Sequence, residues 1–134
     1  MFDAEFYKDS VINWIKNWFE NRSGNAKGII IGISGGKDST VAAALCAKAI
    51  GKDKVLGVLM PNGEQKDIED SIEICEHLGI SYRVVNIRPA YDAIYNMIRY
   101  SKNYMANENI DSFFPLSNHT LTNIPPRIRM TTLY

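Results

Sequence analysis

The chain has 134 residues, enough for one domain with a modest core, and its 46% hydrophobic and 10% aromatic content excludes an intrinsically disordered protein. Fifteen basic residues cancel fifteen acidic ones, so the charge balance points to neither a nucleic-acid nor a membrane partner. No apolar run approaches the roughly 20 residues needed to cross a bilayer, the first residues lack the regions of a signal peptide, and Cys46 and Cys75 have no ligand partners at metal-binding spacing. A reduced, cytoplasmic protein is the expectation.

In chain order, residues 4–21 read as a helix. Tyr7, Val11, Trp14, Ile15 and Trp18 recur at spacings of three and four, and such a stripe belongs in a core or an interface. A turn at residues 21–25 leads to the β-branched run Ile29, Ile30, Ile31, Gly32, Ile33, which suits a strand buried on both faces. Ser34-Gly35-Gly36-Lys37-Asp38-Ser39 follows at once, and an Ala-rich helix over residues 41–50 stops at Gly51. Strand, small-residue loop and helix start together make a phosphate cradle, because the first N–H groups of a helix have no partner within it and carry the positive end of its dipole. The string is not a Walker A loop, since Lys37 is followed by Asp38, and it lacks the glycine spacing of a dinucleotide fingerprint. Asp38 beside a polyphosphate would be repulsive without an intervening cation, which makes it a candidate Mg²⁺ ligand, and Ser34 and Ser39 offer hydroxyl donors. Read as local structure alone, the same residues are a tight turn with Asp38 or Ser39 as N-cap.

A second strand covers residues 55–60 and ends at Pro61-Asn62-Gly63. In an open parallel sheet, ligands sit beyond the carboxyl ends of the strands, so Met60 and Gln65 lie where a nucleotide base would be held; a plain turn accounts for them equally. A helix over residues 65–78 presents Ile68, Ile72, Cys75 and Leu78 on one face and stops at Gly79. The third strand spans residues 82–87, and a helix from Pro89 continues to about Tyr104. Residues 103–122 are polar, aperiodic and read as a long loop. His77 and His119 have no evident partner and are taken as structural or solvent-facing. A last helix starts near Asn123, with Pro125 and Pro126 in its first turn. Arg127 and Arg129 lie two apart on it, so only one of them faces a given ligand; as isolated residues, both are equally well surface charges.

Taken together, these segments resemble the ammonia-dependent NAD synthetases, a family of PP-loop ATP pyrophosphatases. The resemblance rests on Gly32-Ile33-Ser34-Gly35-Gly36-Lys37-Asp38-Ser39, on the strand end at residues 56–61 with Gln65 after it, on Asn86-Ile87, and on Asn123-x-x-x-Arg127-x-Arg129-Met130. It implies an α/β fold with a doubly wound parallel sheet of the adenine nucleotide alpha hydrolase-like, PP-loop type, here truncated to about three parallel strands in order 3-2-1 flanked by helices. It implies ATP in the loop, Mg²⁺ on Asp38, adenine near Met60 and Gln65, and deamido-NAD on Arg127, with Arg129 and Tyr134 as further candidates. Ammonia as the nitrogen source and a homodimer follow from the same likeness.

Residues 1–134 are accordingly expected to be one incomplete synthetase domain, inactive alone, because family members run on for another strand, a second acidic Mg²⁺ ligand and further dinucleotide contacts. Some members also carry a basic residue at the position of Leu59. The expected reaction is amidation of deamido-NAD through an acyl-adenylate, with AMP and pyrophosphate released. The alternatives are another PP-loop adenylating enzyme, such as a GMP synthetase or a tRNA-modifying ligase or thiolase, and a non-catalytic nucleotide-binding remnant.

Overall fold

A computed structural model describes residues 3–64, 68–100 and 117–134. Helix α1 (Ala4–Arg22) precedes strand β1 (Ile29–Gly32) and helix α2 (Lys37–Ile50). A short 3₁₀ turn at Lys52–Lys54 leads into β2 (Val55–Leu59), followed by α3 (Ile68–Leu78), β3 (Ser81–Val84), α4 (Arg88–Arg99) and α5 (Asn118–Thr132). The three strands form one parallel sheet in the order β1-β2-β3, with Ile29 opposite Val55 and Leu56 opposite Ser81. This is the expected 3-2-1 order, with β1 at one edge.

The alternation of a strand sorts its side chains to two faces, and here both faces are used. Ile33, Val55 and Leu59 bury themselves with Ala43 of α2 and Cys75 and Ile80 beside α3. Val58 and Met60 point the other way and pack with Ile87, Ile124 and Ile128 beneath α4 and α5. The sheet is therefore doubly wound around β2. Small residues set the spacing on the first face: Ala43 is fully buried, and a Cβ on Gly57 would come within 3.0 Å of Cys75 Sγ.

Several expectations change. β1 is not buried on both faces. Ile30 is 56% exposed, because the α4–α5 layer covers β2 and stops short of the edge strand. On α1 the stripe of Tyr7, Val11, Trp14 and Trp18 faces outward, at 40–66% exposure, and no residue of the helix is buried. Ile15, the remaining member of that stripe, is half-buried together with Ile12 and Phe19, and α1 packs on α2. β3 ends at Val84 and not at Ile87, although Val85 N–H still donates to the Leu59 carbonyl (2.8 Å) and Ile87 N–H to that of Pro61 (2.9 Å). α4 ends at Arg99, earlier than the expected Tyr104.

The largest change is α5. It begins at Asn118, inside the expected loop, with Ser117 as N-cap accepting the Thr120 N–H at 3.1 Å. Neither Asn123 nor the prolines mark its start, and His119 is helical. Pro125 and Pro126 lie in the helix interior, where each removes a backbone donor at a cost of about 3 kcal/mol. The burial of Ile124 and Ile128 against Val58, Met60 and Ile87 offsets that cost. The part of the expected loop at residues 103–116 lies outside the described residues, as does Gln65.

Candidate functional site

The loop leaving β1 is held by its own side chains. Gly35 adopts φ +77°, a left-handed conformation that favours glycine, and this turns the backbone sharply into α2. Ser39 Oγ accepts the Ser34 N–H (3.2 Å), lies 3.1 Å from Ser34 Oγ, and donates to the Gly36 carbonyl (3.0 Å). Thr40 Oγ1 donates to the same carbonyl at 2.9 Å. Gly36 is the N-cap of α2 and has no side chain to cap it, so neither Asp38 nor Ser39 fills that place. The first-turn N–H groups of α2 are consequently left for an anion.

Lys37 and Asp38 project from this turn into solvent. The Asp38 carboxylate has no hydrogen bond or ion pair among the described residues, and no group of three His, Cys, Asp or Glu side chains could hold a metal there. The donor set is thus a single carboxylate. That suits Mg²⁺, which completes its shell with phosphate oxygens and water, and does not suit a metal that needs an all-protein cage.

Beyond the carboxyl ends of β1 and β2 lies a cavity of about 300 Å³. Gly32, Ile33 and Ser34 form one wall, Leu59, Met60 and Pro61 a second, Ile68 and Ser71 of α3 a third, and Arg129 of α5 a fourth. Arg129 Nε donates to the Met60 carbonyl at 3.0 Å, a contact between residues 69 apart in sequence. Arg129 is half-buried and pairs with no carboxylate among the described residues, so the cavity carries an uncompensated cation. Gly32 lets this wall close: a Cβ there would come within 3.2 Å of Met60 Cε and 3.6 Å of Leu133 Cδ1. The turn after β2 is fixed from the connection between β3 and α4, where Asn86 Oδ1 accepts both the Gly63 N–H (3.1 Å) and the Arg88 N–H (2.9 Å).

The structure therefore gathers Gly32, Ile33, Ser34, Met60 and Arg129 around one cavity, with Gly35, Gly36, Lys37, Asp38 and Ser39 on the adjoining loop and helix start. Arg127 is elsewhere. Its Nη1 donates to the Asn123 carbonyl (3.0 Å), and it lines a separate groove of about 400 Å³ with Ala90, Ile94, Ile124, Ile128 and two threonines of α5. Tyr134 is fully exposed at the end of the described chain. Ser71 is the residue that sequence reasoning passed over. It sits on the inward stripe of α3, three residues after Ile68 and four before Cys75, and a hydroxyl in that register was the available signal. Cys46 and Cys75 are free thiols whose pKa burial pushes up, so neither is an activated nucleophile.

Comparison with known proteins accords with this geometry. The chain is 43% identical over 111 residues to the NH₃-dependent NAD⁺ synthetase of Pyrococcus furiosus; the match covers 82% of this chain and 38% of that protein. It is similar in structure to the NH₃-dependent NAD synthetase of Campylobacter jejuni (TM-score 0.77, 26% identity, all of this chain and 52% of that one). It is equally similar to the NMN synthetase of Francisella tularensis (TM-score 0.77, 31% identity, all of this chain and 50% of that one). The chain thus spans well under two thirds of the length of these proteins. A family model described as NAD synthase matches residues 7–134, and this chain belongs to that family.

Proposed function

We propose that residues 1–134 form one PP-loop unit that binds Mg-ATP and serves the ATP-dependent amidation of deamido-NAD to NAD by ammonia. One observation carries the reading. Ser34, which opens the Ser34–Ser39 loop, and Arg129 of α5, far apart in sequence, line a single cavity at the carboxyl ends of β1 and β2.

The chemistry starts from a poor electrophile. A carboxylate carries negative charge and lacks a good leaving group. Its oxygen attacks the α-phosphorus of ATP, the bond to the β-phosphate breaks, and pyrophosphate leaves with the electron pair. Ammonia then attacks the carbonyl carbon of the acyl-adenylate, AMP departs, and the nitrogen loses a proton. The first-turn N–H groups of α2 and the hydroxyls of Ser34 and Ser39 receive the pyrophosphate. Asp38 would hold Mg²⁺, which when bound neutralises phosphate charge. Ile33 and Met60, with Gln65 beyond the described residues, flank adenine. Arg129 offsets negative charge where carboxylate and α-phosphate approach each other. Arg127, in its separate groove, and Tyr134 are the proposed contacts to the rest of the dinucleotide. The work of the protein is positioning and charge neutralisation, with no covalent enzyme intermediate.

A homodimer is supported by the exposed apolar side of α1 and by the apolar groove between α4 and α5. No helix among the described residues is long and apolar enough to cross a membrane, which supports a cytoplasmic location. Calorimetry with Mg-ATP tests the binding, and pyrophosphate release with deamido-NAD or nicotinate mononucleotide as acceptor tests the chemistry. The mononucleotide belongs in that assay because a similar fold is an NMN synthetase. A chain that titrates with neither Mg-ATP nor Mg-pyrophosphate refutes the reading.

A further inference from the structure

Ser71 is the only buried polar residue among those described, at 2% exposure, and it lines the cavity beside Ile33, Leu59, Met60 and Ile68. Its hydroxyl makes no hydrogen bond among the described residues. That is unlike the other helical hydroxyls of this chain. Ser10, Thr131 and Thr132 each turn back to the carbonyl four residues earlier, at 2.8, 3.0 and 2.8 Å. Within this buried residue the hydroxyl oxygen is not sealed from solvent: it opens onto the cavity and is free to pair with what enters. The apolar walls around Ser71 suit the faces of a flat ring, and a hydroxyl both donates and accepts, so it can pair with a ring nitrogen or an exocyclic amine.

We propose that Ser71 is a base-recognition residue: its hydroxyl hydrogen-bonds the edge of the purine of the bound nucleotide, between the Met60 and Ile68 side chains. The inference rests on the functional reading above, because it requires a nucleotide in this cavity. It adds to that reading a polar contact on α3.

The test is Ser71→Ala in the full chain, titrated in parallel with Mg-ATP and with Mg-pyrophosphate. Mg-ATP is expected to bind about threefold to tenfold more weakly, the effect of one lost hydrogen bond. Mg-pyrophosphate, which has no base, is expected to bind unchanged. The ligand-free melting temperature is expected to change by no more than a few degrees, since the hydroxyl bonds to nothing in the fold. Unchanged Mg-ATP affinity, in a wild-type chain that binds both ligands, overturns the Ser71 assignment alone. Equal weakening of both ligands with a lowered melting temperature overturns it as well, because that is the behaviour of a packing residue. A wild-type chain that binds neither ligand removes the functional reading and this inference together.

Discussion

Two sides of the candidate site are built in different ways. The loop side is local. Ser34, Gly36, Ser39 and Thr40 bond to one another across five residues or fewer, so this turn holds its shape wherever the chain places it. The other side is assembled from a distance. Met60 meets Arg129 across 69 residues, and Asn86 reaches back 23 residues to Gly63. The difference separates two kinds of failure: damage to the first side should remove affinity at constant stability, whereas damage to the second should affect both.

The largest expected effect is at the local side. Asp38→Ala should weaken Mg-ATP binding about 100-fold or more in calorimetry, with an unchanged melting temperature, because Asp38 is exposed and bonded to nothing in the fold. A variant that binds Mg-ATP like wild type would leave the loop without its metal. Next comes Arg129→Ala. It removes both the cavity's cation and the bond to the Met60 carbonyl, so Mg-ATP affinity should fall about tenfold or more and the melting temperature should fall with it. Arg127→Ala, in the separate groove, should leave Mg-ATP affinity as it is; equal losses in the two arginine variants would erase the distinction between the cavity and the groove.

Asn86→Ala removes the acceptor for two backbone donors and should lower unfolding stability by about 1 kcal/mol in urea melts, at an unchanged m-value. An intact stability would mean that the turn after β2 stands without its brace. The smallest effect is expected at Trp14→Ala. The ring is 66% exposed, so the change should stay within about 0.5 kcal/mol at low protein concentration. A larger loss that grows with concentration would show that the outer face of α1 is covered by a second copy.

Legibility follows the same division. The loop could be read from six consecutive residues because glycine at a left-handed turn, paired serines and a helix start are all local properties. The strands were found from β-branched runs, but their depth was not. Ile30 has the composition of a two-faced core residue and lies open because a helix layer ends before reaching it. α1 differs for a related reason: the bulkier residues of its expected stripe, Trp14 and Trp18, lie outside, whereas Ile15 of the same stripe is half-buried together with Ile12 and Phe19. α5 was placed too late because two prolines outweighed Ser117 as a start signal, and a sequence does not show how much buried isoleucine surface stands against a lost donor.

The sequence by itself determined the parallel α/β order, the glycine turn after β1 and the family likeness, since each is set by propensity, periodicity or a contiguous string. Only the tertiary structure decided which arginine of α5 enters the cavity, that Ser71 lines it, and which side of α1 is left outside. Those outcomes depend on how helices pack over β2. That packing is a balance of burial between segments many residues apart, which no local window contains.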